Sequence, residues 1–241
     1  VSAEETIRLQ KYLSERGVCS RRHAAEFVHS GRVAVDGETI LEPGFRVTPG
    51  RQRVTVDGRP VEAARVAPQT IMLHKPRGVI CSRSDAQGET VYDLDPPIPQ
   101  ALVPVGRLDK DSEGLLVMSS DGDLVQRLTH PRHGQRKTYR VTVLGTVTED
   151  HLSVLRSQLV IDEYRIRPAE VTVADARRPG YTLLEIVLHE GRKRQIREMC
   201  RAARLHVVRL VRVSVGPLTL GRLRPGEWRE LTGAELRAVE R

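Results

Sequence analysis

From Thr70 onward the chain carries seven runs dominated by β-branched and aliphatic residues: TIMLH, ALVPV, GLLVM, TYRVTVL, AEVTVA, YTLLEIVL and HVVRLVRVSV. The intervals between them are unequal. Only three stretches have helical spacing, near Asp123 to Leu128, Glu149 to Leu155 and Lys193 to Ala203, with Thr148 at the N-cap of the second. A parallel, doubly wound sheet needs a helix-sized crossover after each strand, whereas hairpin-linked strands pair antiparallel. That regular alternation is missing, so the pattern predicts an α+β fold with a mainly antiparallel, mixed sheet. Asp95-Pro96-Pro97 and Arg178-Pro179-Gly180 read as turns inside it. Aromatic residues make up only 3% of the chain, so the core must be built from Val, Leu, Ile and Ala.

Ahead of this region the pattern changes. Ile7, Leu9, Tyr12 and Leu13 fall on one helical stripe that Gly17 closes. Ser20 stands at the cap of a second helix with Ala24, Phe27 and Val28 apolar, stopped by Gly31. RVAVDGETI and RVTVDGRPV then read as hairpins turning at Asp36-Gly37 and Asp57-Gly58. The polar segment EAARVAPQ, residues 62–69, marks the junction. The reading assigns residues 1–65 to a small helix-helix-hairpin module, 66–69 to a linker and 70–241 to the larger domain.

Lys and Arg number 39 against 31 acids, a net +8 that favours a polyanionic partner, nucleic acid first. Five of these cations are Lys and 34 are Arg, the side chain whose planar fork suits phosphates and base edges. Arg8, Lys11, Arg21, Arg22 and Arg32 lie together in the first module, and its apolar stripe drives much of this charge to the opposite, solvated side, where it favours RNA binding over mere solubility. Cys19, Cys81 and Cys200 are widely spaced with no CxxC pair, which fits a reducing compartment. His130 and His133 have no partner at ligand spacing, so no metal site is expected. No window approaches the ~18 apolar residues of a membrane span, and the opening residues lack an apolar signal core. These features predict a cytoplasmic protein with no membrane association, and a monomer by default.

The segment VPVGRLDKDSEGLLVMSSDGDL, residues 103–124, places a tight polar turn between two apolar runs. That arrangement would hold Asp109 at a strand edge, with Arg107 as a nearby cation to keep a desolvated carboxylate ionised. On spacing alone, RLDKD reads more readily as a charged surface turn, and Tyr139 on TYRV as core filler.

A resemblance changes both readings. RLQKYLSERGVCSRRHAAEFVHSGRVAVDG resembles the S-four-type RNA-binding module, over roughly residues 6 to 60. GRLDKDSEGLL resembles the signature of RNA pseudouridine synthases of the RsuA/RluB/RluF kind, and LHKPRG (73–78), LTHPRHGQRKTYRV (128–141), HEGRKRQIREMC (189–200) and GEWRELT (226–232) follow in the family's order. The resemblance implies isomerisation of uridine to pseudouridine on an everted base, without metal or coenzyme. It makes Asp109 the nucleophile, Tyr139 a stacking partner for the base, Arg197 of the Gln-x-Arg element a neighbour of that Asp, and Leu210 an apolar contact to the base. It gives Asp111 no role beyond a solvent-side or RNA-proximal charge. Arg194, Arg197, Arg201 and Arg204 recur at helical spacing, and Lys193 and Arg194 open the helix, where its macrodipole disfavours cations unless a phosphate lies near. Both are therefore expected to contact RNA. KYLSERGVCSRR, GRLDKDSEGL and GEWRELT resemble the RluF branch, and CSRSDAQGETVYDLDP and HPRHGQRKTYRV the RluB branch, which implies a large-subunit ribosomal RNA substrate. Small-subunit RNA, tRNA, or a noncatalytic ribosome-assembly role are the alternatives.

Overall fold

Two Asp-Gly steps shape the first part of the chain. Asp36 and Gly37 have φ of 51° and 91°, and Asp57 and Gly58 have 50° and 76°, the paired positive values of a type I′ hairpin turn. In this computed structural model the described residues are 6–240, apart from 20, 62–66, 84, 87 and 130–133. Ser20, the 62–66 part of the junction, His130, His133 and the side chain of Arg22 lie outside them. Backbone contacts divide the chain into two units, Val1–Pro68 and Gln69–Arg241.

The first unit runs β1 (Ile7–Arg8), α1 (Leu9–Glu15), α2 (Arg21–His29), β2 (Val33–Val35), β3 (Glu38–Thr39), β4 (Arg46–Val47), β5 (Val54–Val56) and β6 (Arg59–Pro60). Strands β3-β2-β5-β6 form one antiparallel sheet, and β1 pairs with β4. Both helices close at the glycine where sequence places the stop. Val18 N donates to Leu13 O and Gly17 N to Ser14 O, and Arg32 N to Phe27 O and Gly31 N to Val28 O, the paired bonds of a Schellman closure. Leu9, Tyr12, Leu13, Ala24 and Val28 pack against Val33, Val35, Val47 and Val54 as a small separate core.

The second unit contains β7 (Thr70–Lys75), β8 (Val103–Val105), β9 (Glu113–Ser119), α3 (Gly122–Thr129), β10 (Lys137–Leu144), α4 (Glu149–Arg156), β11 (Val160–Ile161), β12 (Tyr164–Arg165), β13 (Glu170–Asp175), β14 (Tyr181–Leu188), α5 (Gln195–Ala202), β15 (Val207–Val215), β16 (Leu218–Thr219), β17 (Trp228–Glu230) and α6 (Gly233–Glu240). All seven apolar runs are strands, and the three helical stretches are α3, α4 and α5, with Thr148 at the N-cap of α4. The main sheet has the order β13-β14-β10-β15-β9-β7-β17, with β8 added on β9 and β16 on β15. Pairing is antiparallel except between β9 and β15, the one parallel strand pair among the described residues. The α+β, mainly antiparallel architecture is the one the run pattern predicts.

Period-two alternation explains how this sheet is covered. Ile71, Leu73, Leu116, Met118, Tyr139, Val141 and Leu210 face one core with Leu152 and Leu155 of α4 and Ile196 and Met199 of α5. Met72, Leu115, Val117 and Val211 face the other, under Leu124 and Leu128 of α3 and Val239 of α6. Strands β7 and β9 are therefore buried along their whole length, while β10 leaves Arg140 and Leu144 exposed. The loop Arg107–Ser112 runs directly into one of these two fully buried strands, β9, and the last residue of the other, Lys75, is bonded to it.

Candidate active site

The stretch between β8 and β9 is held by main-chain and side-chain bonds at nearly every residue. Ser112 N donates to Asp109 O at 3.1 Å, closing a tight turn over Asp109–Ser112. Gly78 N donates to Lys110 O at 2.7 Å. Leu108 N and O meet the Cys81 thiol at 3.5 Å each. The Lys75 ammonium, fully buried at the end of β7, donates to Ser112 O and Pro76 O at 2.8 Å each. From the far side Arg212, buried on β15, donates through Nε to Leu115 O at 2.8 Å, and its Nη1 reaches Arg107 O at 3.5 Å.

Gly114 lets these strands come together. A Cβ there would lie 2.3 Å from Arg212 O and 2.6 Å from Arg212 N, and its φ is +112°. Only glycine allows β9 to meet β15 in parallel at this point, which is why the apolar run begins Glu-Gly rather than with a larger residue.

The two carboxylates of the turn differ sharply. Asp111 is gripped by Arg194, Nη1 to Oδ1 and Nη2 to Oδ2 at 3.0 Å each, and by Arg197, whose Nε lies 3.1 Å from Oδ2 and whose Nη2 donates to Asp111 O at 2.8 Å. Burial would push the Asp111 carboxyl up, but the Arg194 hydrogen bonds and the charges of Arg197 and Arg194 outweigh it and hold it below the usual carboxylate range. The Asp109 carboxylate, on a half-buried residue, makes no hydrogen bond or ion pair with a described residue, although its charge acts on Lys75, Arg194 and Arg197. Burial draws the Lys75 ammonium and the Arg197 guanidinium below their ordinary values, partly offset by these carboxylates.

The other sequence-derived residues are placed as follows. Tyr139 lies on β10, 8% exposed, in the same core cluster as Leu108 and Leu210. Its cross-strand partner is Arg212, the residue that reaches the Arg107 carbonyl. Leu210 pairs with Val141 further along the same two strands. Arg107 and Lys193 are exposed. Where the resemblance sets Arg197 against Asp109, the contact in the structure is with Asp111. The cation at the start of α5 is likewise answered by a protein carboxylate: Arg194 is the N-cap, with φ of 52°, and it turns to Asp111. In the first unit Arg8 and Arg21 are exposed, Lys11 pairs with Glu15 at 3.5 Å, and Arg32 is committed to Asp57 while stacking 3.9 Å over the Phe27 ring.

Sequence reasoning missed Lys75, Cys81 and Arg212 as supports of the turn, and Asp111 as an arginine acceptor. Lys75 did carry a signal: it follows the run TIMLH, with its apolar centre Ile71–Leu73, directly before a proline, an odd position for a solvated lysine. All three thiols are raised by burial, Cys200 to about 12.

Residues 69–202 match the family model described as RNA pseudouridylate synthase, and residues 7–52 match the S4 domain. The chain belongs to the RNA pseudouridylate synthase family. This synthase is 38% identical over 232 residues to an uncharacterized RNA pseudouridine synthase of Aquifex aeolicus (strain VF5), covering 95% of the chain and 92% of the relative. It is 37% identical to ribosomal large subunit pseudouridine synthase B of Bacillus subtilis (strain 168), with 96% and 95% covered, and 36% identical to ribosomal small subunit pseudouridine synthase A of Yersinia pestis, with 97% and 98% covered. A crystal structure of a pseudouridylate synthase superposes with a TM-score of 0.67 at 28% identity, over 97% of this chain and 99% of that one. The synthase is thus an RNA-modifying isomerase with an S4 domain at residues 7–52. Among the described residues no helix is long and apolar enough to cross a membrane.

Proposed function

We propose that this synthase isomerises a specific uridine of large-subunit ribosomal RNA, with the base turned out of its stack and Asp109 as the reacting carboxylate. The observation that carries this reading is the contrast inside one turn: Asp111 is taken up by two arginines, and the Asp109 carboxylate is left half-buried without a partner among the described residues.

The reaction breaks the bond from ribose C1′ to uracil N1 and forms one from C1′ to C5, while a proton leaves C5 and one is returned to N1. No atoms or electrons enter or leave. Whether it attacks the nucleotide or removes a proton from it, the carboxylate must be ionised, unpaired and firmly placed. Main-chain bonds to Lys75, Gly78, Cys81, Arg197 and Arg212 supply the placement. Eversion costs a few kcal/mol. Tyr139, Leu108 and Leu210 offer apolar surface for the extruded ring, and the Nε–H of Arg197, buried and without an aligned acceptor, offers a donor. Arg8, Lys11 and Arg21 of the S4 domain, with Arg107 and Lys193, would hold phosphates.

Asp109→Asn should abolish pseudouridine formation and leave RNA affinity within a few fold. Full turnover by this variant rules out the assigned carboxylate. The relatives named for the large and small subunits are almost equally similar, so the substrate is decided by mapping pseudouridines in total RNA with and without the protein. Sites confined to small-subunit RNA or tRNA would overturn the large-subunit reading.

A further inference from the structure

We propose that Tyr164 and Arg192 form a stacking platform for an unpaired base of the substrate RNA next to the target uridine. The inference rests on RNA being the substrate, and on neither the assigned carboxylate nor the choice of ribosomal subunit. In a chain with 5 Tyr, 2 Phe and 1 Trp, Tyr164 is the one aromatic residue left exposed, at 39%. It sits on an anchored hairpin: its partner across the β11–β12 turn, Ile161, and Ile166 just beyond it are buried in the main core. Arg192 lies over the ring, its guanidinium carbon 3.7 Å from the centroid, and the tyrosine is exposed even with that cover in place. An aromatic ring and a guanidinium plane are the two flat side-chain surfaces on which splayed-out RNA bases stack.

Both members of the stack are fastened to the start of α5. Glu190 is the knot: its Oε1 accepts from Arg167 N at 2.9 Å and from Gln195 Nε2 at 3.0 Å, and its Oε2 accepts from the Tyr164 hydroxyl at 3.4 Å. Gln195, buried as the first residue of α5, accepts in turn from Arg192 N at 3.1 Å. Two residues after Arg192, Arg194 holds both carboxylate oxygens of Asp111 at 3.0 Å, and Arg197 donates to the Asp111 carbonyl at 2.8 Å. Stack and Asp109–Ser112 turn thus belong to one hydrogen-bonded frame, so a base seated on the stack is held at a set separation from the turn. The charge of these segments suits RNA. Arg165, Arg167, Arg192 and Lys193 are exposed and form no ion pair with a described residue, and they outnumber Asp162, Glu163 and Glu190, the acids of the same two segments.

The test is a cycle between protein and RNA, run on the full-length chain. The RNA is a synthetic fragment around the uridine that mapping of total RNA identifies, intact or with an abasic ribose at one neighbouring nucleotide at a time. Y164L keeps the bulk and loses the ring, and it should weaken binding of the intact fragment about 5-fold or more, the lower end of what one stacked base contributes. R192A should act in the same direction, and Y164F, which keeps the ring, should bind like the parent. The single-turnover rate at saturating RNA should stay within about 3-fold of the parent, because a base that does not react is held alike before and during the reaction. The coupling decides. At one neighbouring position the abasic fragment should bind the parent about 5-fold or more weaker than the intact one, while Y164L binds both alike. If Y164L loses the same factor on every fragment, the ring only shapes the hairpin, and the proposal is overturned. Unchanged binding of the intact fragment by Y164L overturns it as well. Turnover by D109N would remove the assigned carboxylate and leave this coupling untouched, whereas an inactive D109N with no coupling at any position fails the platform alone.

Discussion

Replacing Gly114 with alanine strikes the point where the two antiparallel parts of the sheet are joined. The added Cβ would stand 2.3, 2.6 and 2.9 Å from O, N and C of Arg212, all backbone atoms that cannot swing aside. The residue would also keep φ near +112°, outside the range L side chains readily adopt. The dihedral costs about 1–3 kcal/mol, and forcing the strands apart costs about another 1–3 kcal/mol. Together these come to about 4 kcal/mol, and at roughly 2–4 °C per kcal/mol for a domain of this size the midpoint should fall by roughly 10 °C. Thermal unfolding followed by far-ultraviolet circular dichroism measures this directly. Gly78 supplies the control: its φ is +95°, but an added Cβ there meets nothing within 4 Å. G78A carries the dihedral penalty alone, and the difference between the two melts isolates the close approach. Displacing Arg212 also withdraws its guanidinium from Arg107 O, so G114A should lose activity beyond its loss of stability. A midpoint within about 3 °C of the parent, with full activity, would refute the argument that this glycine is required by contact between strands.

Other outcomes follow from the same structure. Glu235, hydrogen-bonded by Arg229 and Thr232, is lowered from 4.5 to about 2. Between those values the unfolded chain binds a proton that the native one does not, so its contribution is complete above pH 4.5 and is lost as pH falls through about 2. E235Q should flatten the acid limb of the stability curve in that window, and an unchanged limb would sink the assignment. In the S4 domain, R8A/R21A should weaken RNA binding and make log affinity fall less steeply with log salt, by about 0.9 for each phosphate left unneutralised on duplex and less on single strands. An unaltered slope would mean that neither side chain meets a phosphate.

Much of the fold was legible because its signals are local. Asp-Gly turns, glycine helix stops and apolar runs each act within a few residues, and the S4 hairpins and seven strands of the second unit follow from them. The β11–β12 hairpin was missed for an equally local reason: its turn is made by Asp162 and Glu163 at φ of 48° and 62°, with no glycine to mark it. Strand β17 pairs with β7 far along the chain and owes its existence to that edge, and α6 follows it to cover the second core. At the site, motif order located the turn, but which of its carboxylates would be occupied depends on Arg194 and Arg197, more than 80 residues on. No pattern within RLDKD encodes that pairing. The burial of Lys75 is similarly a product of strands closing on both sides of it.

The raised protonation range of the three native thiols has a practical corollary. Sulfhydryl reagents attack the deprotonated sulfur, and burial keeps Cys19, Cys81 and Cys200 protonated well above neutrality. A cysteine introduced at an open position such as Leu41, 61% exposed, or Val160, 64% exposed, would outcompete them for a maleimide. Fluorophores or spin probes can therefore be attached to either unit to follow RNA docking with the buried Cys200 left in place, once the partly exposed Cys19 and Cys81 are replaced.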